Sequence, residues 1–255
     1  MGTALPGDAL GAVSETQFHT LQGGGRLAYR HSRGAGPALV FLPGYMSDMA
    51  GSKAAAVLAW ASAQGRECLL LDYSGCGESD GDFAEGTLSR WRDEVLALIA
   101  ATCEGPVVLI GSSMGGWLML LVALAIPERV AALVGIAAVP DFTDWGFTAA
   151  QKAQLAAGGV VFEANPYGPD PSPTHPGFWR DGQAHRLLDT EIALTCPVRL
   201  LHGQQDPDVP WETSLRLASA LRSADVQVTL VKDGDHRLSR TSDIALLVQT
   251  LTALP

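Results

Sequence analysis

Positive charge is scarce in this chain. Seventeen Lys and Arg stand against 27 Asp and Glu, a formal net charge of -10 over 255 residues. Such a surface repels phosphate backbones and anionic headgroups, which argues against nucleic acid as a partner. Cysteine is sparse as well. Cys68, Cys76, Cys103 and Cys196 lie far apart with no C-x-x-C pair, so they read as small core hydrophobes in a reducing compartment. No His/Cys/Asp cluster has metal-ligand spacing, and neither G-x-G-x-x-G nor a Walker lysine is present. No metal and no cofactor are therefore expected. No apolar run reaches the ~18 residues of a membrane span. Residues 1–12 lack the basic and apolar stretches of a secretory signal, and Pro6 stands where N-myristoylation takes Ser or Thr. These absences, with the richness in Ala, Gly and Leu, lead to the expectation of a cytoplasmic, bacterial protein. Charged residues make up only 17% and apolar residues 47%, so disorder is excluded, and the length suits one large α/β domain or two small ones.

What is present is an alternation of apolar runs and helical stretches, the pattern of a mostly parallel sheet with helices on both faces. Residues 17–21 and 26–30, joined by Gly23-Gly24-Gly25, read as an opening hairpin. Strands are expected at 38–42, 67–73, 106–110, 131–137, 198–202 and 226–231. Helices are expected at 53–64, 88–101, 212–221 and 243–254. Between residues 139 and 191 the pattern breaks. This stretch is rich in proline (Pro140, Pro166, Pro169, Pro171, Pro173, Pro176) with Trp145, Phe147 and Trp179 interleaved. Only 148–157 looks helical. A break of that length inside a compact domain is usually a lid, so a cap is expected over about residues 140–190 of one domain spanning 1–255.

The most informative motif is Gly111-Ser112-Ser113-Met114-Gly115 behind the apolar run Pro106-Val107-Val108-Leu109-Ile110. This is G-x-S-x-G between a strand and a helix, a sharp turn that leaves the central serine hydroxyl exposed. Serine is a weak nucleophile and needs a base beside it. In this arrangement an acid and then a histidine should follow in the chain. Asp206 lies just past the strand ending at His202, and His236 just past the strand ending at Val231, and parallel sheets gather such ends on one rim. Ser113 is thus read as nucleophile, His236 as general base and acid, and Asp206 as the group that holds the imidazole. Asp208 is the alternative acid. Asp233 and Asp235 read as turn residues, and His202 as structural. The oxyanion-hole donors are expected to be the backbone N–H groups of Met114, which follows the nucleophile, and of Tyr45 in the Pro43-Gly44-Tyr45 loop. Met46, Trp117, Trp145, Phe147 and Trp211 are candidates for an apolar substrate pocket, each of which could equally be core. Residues 72–79 read as a structural loop, and Cys76 has no basic neighbour in sequence to activate it.

The elbow, Leu42-Pro43-Gly44-Tyr45-Met46-Ser47-Asp48, Asp72-Tyr73-Ser74-Gly75, residues 196–203 and Asp235-His236-Arg237 together resemble the α/β-hydrolase superfamily over nearly the whole chain. Within it they are similar to the branch that contains a mitochondrial palmitoyl-protein thioesterase and acyl-glucuronide esterase. The resemblance implies an α/β-hydrolase fold and serine esterase or thioesterase chemistry on Ser113, Asp206 and His236. The substrate would be a small-molecule ester or thioester, or an acylated protein. A lactonase or peptidase could use the same residues. A receptor that keeps the pocket without turnover is the reading from a different class, and multiple turnovers would tell it from an enzyme.

Overall fold

The computed structural model describes residues 15–165 and 168–255. The leader and myristoylation readings of residues 1–12, and Pro166, lie outside that range. The chain opens with the expected hairpin, β1 (Gln17–Thr20) and β2 (Arg26–Ser32), paired antiparallel. Then come β3 (Ala35–Leu42), α1 (Ser52–Gln64), β4 (Arg66–Leu71), α2 (Leu88–Thr102), β5 (Val107–Ser112), α3 (Met114–Ala125) and β6 (Val130–Ile136). After β6 the chain leaves the sheet for α4 (Phe142–Trp145), α5 (Ala149–Ala156), β7 (Val161–Glu163), β8 (Ser172–Thr174) and α6 (Pro176–Ala184). It returns with β9 (Val198–Gly203), α7 (Glu212–Ala220), β10 (Val226–Val231) and α8 (Thr241–Thr252).

The large sheet has the order β1-β2-β4-β3-β5-β6-β9-β10. β2 joins β4 antiparallel, and from β4 to β10 every neighbour is parallel. β5 is buried at every position, as a parallel strand covered on both faces must be. One face carries α1 and α8 through Ala54, Val57, Leu247 and Leu251. The other carries α2, α3 and α7 through Trp91, Val95, Leu118 and Leu217. α2 shows why a stretch becomes such a layer. Thr87 caps its first turn by accepting from the Arg90 amide at 3.1 Å, and Leu88, Trp91, Val95, Leu98 and Ile99 recur at the spacing that buries one stripe.

The stretch after β6 departs from its sequence reading. The expected helix is α5, with Thr148 and Gln151 forming a capping box. The small β7–β8 hairpin and α6 were not expected. α6 begins at Pro176 and contains Gly177 and Gly182, a composition with poor intrinsic helix propensity. Packing makes it a helix. Phe178 is fully buried, and a Cβ on Gly182 would come within 2.6 Å of Thr143 on α4. The two ends of the excursion are tied together by buried Asp141, whose two carboxylate oxygens each accept a backbone N–H, from Leu187 and Leu188, at 2.8 Å. No helix among the described residues is long and apolar enough to cross a membrane.

Candidate active site

The carboxyl ends of β3, β5, β9 and β10 open onto one rim, and each supplies a part of the site. β5 supplies the elbow. Ser113 sits at φ 54° and ψ -122°, left-handed backbone that a non-glycine residue adopts only when its surroundings force it. They do so here. The Ser113 amide donates to Ile136 O at 2.8 Å, and Ser113 O accepts from Gly116 N at 2.8 Å and from Val139 N at 3.3 Å. The glycines are required by crowding. A Cβ on Gly111 would lie 2.3 Å from Gly115 O, and one on Gly115 would lie 2.1 Å from Leu42 O.

The serine is the first member of a linear row. Its Oγ lies 3.0 Å from His236 Nε2, and His236 Nδ1 lies 2.8 Å from Asp206 Oδ2. Asp206 also accepts the Asp208 and Val209 amides on Oδ1, at 2.9 and 2.8 Å. Burial alone would raise the Asp206 carboxyl, but donors on His202, His236 and Val209 outweigh it and hold the group well below the usual carboxylate range. Asp206 is thus the carboxylate that meets His236, and Asp208 lies exposed beside the cleft. Asp235 accepts from the Leu238 amide at 3.0 Å, as a turn residue does, and Asp233 pairs with Arg240.

Opposite the elbow, the loop after β3 comes close. A Cβ on Gly44 would lie 3.4 Å from both Ser113 Cβ and Ser112 O. The loop is pinned from behind by the buried Tyr73 hydroxyl, which donates to Pro43 O at 3.0 Å. The Tyr45 amide beside Gly44 and the Met114 amide at the start of α3 have no acceptor among the described residues. The Tyr45 ring packs into an aromatic cluster with Phe83, Phe142 and Phe178, and its hydroxyl donates to Pro173 O on β8 at 3.0 Å. Burial pushes that phenol above its ordinary value.

Ser113 and His236 open into a cleft of about 540 Å³. Its lining includes the apolar side chains of Val139, Phe142, Trp145 and Phe147 from the excursion and of Met46 from the β3 loop. The lining also includes the polar residues Ser47, Asp48, Lys53 and Arg237. Lys53 donates to the carbonyl of Arg237, next to His236 in the chain, and burial lowers its amine to about 8. Met46, Trp145 and Phe147 thus line the cleft, whereas Trp117 and Trp211 do not. Trp117 is fully buried on α3, with its indole N–H donating to His185 O at 3.1 Å. Trp211 is the N-cap residue of α7, away from the lining. An apolar residue beside an elbow can face the core as readily as the cleft, and residue type does not decide which.

His202, read as structural, touches the site. Its Nε2 lies 3.1 Å from Asp206 Oδ2 and its Nδ1 lies 2.7 Å from Ser214 Oγ. Only the folding back of residues 203–209 brings it there, and sequence carries no signal for that. Cys76 is buried, and burial pushes its thiol up to about 12, which disfavours a thiolate. Among the described residues, two groups have ligand-type atoms within 4.8 Å of one another, His31 with Glu67 and Cys103, and Asp206 with Asp208 and His236. No metal spacing announces either, because each draws on distant segments. In both, the closest pair is already joined by a 2.8 Å hydrogen bond, His31 to Glu67 and His236 to Asp206.

Residues 37–160 match the family model described as the alpha/beta hydrolase fold. The chain is 41% identical over 232 residues to the human palmitoyl-protein thioesterase ABHD10, mitochondrial, spanning 89% of this chain and 76% of that protein. It belongs to the α/β-hydrolase family. Among solved structures it is similar to alpha/beta hydrolase domain-containing protein 10 from mouse, with a TM-score of 0.87 and 39% identity, covering 94% of this chain and 97% of that one. A putative hydrolase from Agrobacterium vitis superposes with a TM-score of 0.88 at 36% identity, over 94% and 98% of the two chains. The resemblance to this family and the α/β fold class hold, and the protein is a hydrolase. The cytoplasmic expectation does not hold, since the curated relatives from human, orangutan and mouse are mitochondrial proteins. That expectation leaned on widely spaced cysteines and on the composition of residues 1–12, and neither names a compartment.

Proposed function

We propose that this hydrolase cleaves carboxylic esters or acyl thioesters through an acyl-enzyme on Ser113. The observation that carries this reading is the unbroken row Ser113 Oγ, His236 Nε2, His236 Nδ1, Asp206 Oδ2, with steps of 3.0 and 2.8 Å. His236 takes the serine proton as Oγ attacks the acyl carbon, and passes it to the departing oxygen or sulfur. It then takes a proton from water, which attacks the acyl-enzyme and frees Ser113. Asp206, almost fully shielded from solvent, stays ionised, holds the tautomer with the proton on Nδ1, and stabilises the imidazolium. The Tyr45 and Met114 amides, unpaired and flanking the serine, are the donors for the oxyanion.

The excursion between β6 and β9 serves as a cap on a single catalytic domain. Its Trp145 and Phe147, with Met46, offer apolar lining for the acyl chain. The substrate is a small-molecule ester or thioester, or an acyl group on a protein cysteine, the chemistry named for the human relative. The test is steady-state turnover on matched p-nitrophenyl esters and acyl thioesters of increasing chain length. Multiple turnovers, with kcat/KM rising with acyl length on the apolar lining, support the reading. A single burst without turnover on every substrate contradicts it.

A further inference from the structure

His202 stands one residue before the end of β9, and its ring is completely buried beneath the loop that bears Asp206. Three polar atoms surround the ring. Nε2 faces two acceptors, Asp206 Oδ2 at 3.1 Å and Val209 O at 3.3 Å, so the proton belongs on Nε2. Nδ1 then accepts the hydroxyl proton of Ser214 on α7 at 2.7 Å. A neutral ring satisfies every one of these contacts, which is what a fully buried imidazole requires.

Asp206 is thereby held at four points. Its Oδ1 is fixed by the backbone amides of Asp208 and Val209, and its Oδ2 is shared by the imidazoles of His202 and His236. The backbone donors alone would let the carboxylate pivot about Oδ1. His236 cannot prevent that, because it sits on a separate loop after β10 and must itself move protons. We infer that His202, held by Ser214, is a positioning residue that fixes Asp206 Oδ2 where His236 needs it, so that β9 and α7 extend the row behind the carboxylate. This inference rests on the assignment of Ser113, His236 and Asp206 made above.

The experiment measures kcat per titrated active site on p-nitrophenyl butyrate, with melting temperature recorded alongside. His202→Leu removes the donor, His202→Gln keeps a side-chain N–H, and Ser214→Ala frees the ring. His202→Leu is expected to lower kcat about 10- to 100-fold, the worth of one hydrogen bond to a charged group, with KM within about two-fold of wild type because no substrate contact is lost. His202→Gln should restore most of that loss, and Ser214→Ala should show a smaller fall of about 3- to 10-fold. A purely structural histidine would change the titrated fraction and the melting temperature but not kcat per site. Unchanged kcat in folded His202→Leu, or equal kcat in the Gln and Leu variants, overturns the inference. Where the Leu variant does not fold, Ser214→Ala decides: a fall in kcat supports the inference and an unchanged kcat overturns it. Turnover that survives Ser113→Ala would instead sink the underlying assignment. Turnover that needs Ser113 but ignores His202 would sink only this step.

Discussion

Two of the serine, histidine and aspartate constellations among the described residues lie at helix starts on separate elements, and they differ in wiring rather than composition. In the first, Ser113, His236 and Asp206 form a line in which each ring nitrogen of the histidine meets a different partner. In the second, Ser89 near the start of α2 meets His185 Nε2 at 2.7 Å and Asp181 Oδ1 at 2.7 Å with the same hydroxyl. Asp181 also accepts the Ser89 amide at 2.8 Å. His185 Nε2 faces Asp181 at 3.7 Å, so the carboxylate and the hydroxyl crowd one nitrogen. A proton taken from Ser89 would have nowhere to be relayed. The cluster fastens α6 to the first turn of α2, where a carboxylate satisfies free N–H groups. The proposed chemistry therefore needs order along a hydrogen-bonded row together with backbone strain at the serine and a cleft before it, and Ser214, in its row with His202, has neither the strain nor the cleft. Ser113 has the strained φ, while Ser89 is an ordinary helical residue.

The comparison breaks most visibly at Ser113. Ser113→Ala should fold normally and lose at least about 10⁴-fold in kcat, because the members of such a row act as a unit. Residual turnover above about 1% would move the nucleophile elsewhere. Next in size is Asp206→Asn, which keeps the shape but permits the wrong histidine tautomer. Its expected loss in kcat is about 10³- to 10⁴-fold, measured on the same ester.

Ser89→Ala sharpens the contrast from the other side. It should leave kcat within about two-fold of wild type while lowering stability by roughly 1 kcal/mol, the usual worth of such partly buried hydrogen bonds, read from urea unfolding. A large loss of kcat with intact folding would mean that the second cluster takes part in the reaction. The smallest effect is on acid stability. The folded-state pKa of Asp206 is depressed below the ordinary carboxylate value by its donors on His202 and His236, so its stabilising contribution is complete above that ordinary value and is lost as pH falls through the folded-state one. The gap in melting temperature between wild type and Asp206→Asn should therefore narrow below about pH 4. A constant gap from pH 6 to pH 3 would contradict the low carboxyl.

How far sequence reaches follows from where each feature's information lies. The elbow is local: two glycines, a serine and a buried strand in fixed order announce it. Asp206 and His236 are legible because a parallel sheet delivers strand ends to one rim, so chain order substitutes for distance. The choice between Asp206 and Asp208 depends on which carboxylate the loop turns inward, and only the fold shows that. α6 was illegible because its Pro and Gly residues speak against a helix, and contacts with α4 make it one. Trp117 and Trp145 are equally apolar in sequence, yet one fills the core and the other lines the cleft. The role of His202 required a loop folding back by four residues, a tertiary event with no periodic trace.

The most direct measurement is fluorophosphonate labelling followed by mapping of the modified peptide. A linear row activates one serine, so the label should appear on Ser113, be abolished in Ser113→Ala, and be absent from Ser89. Label on Ser89, or on any serine in the Ser113→Ala variant, would contradict the assignment.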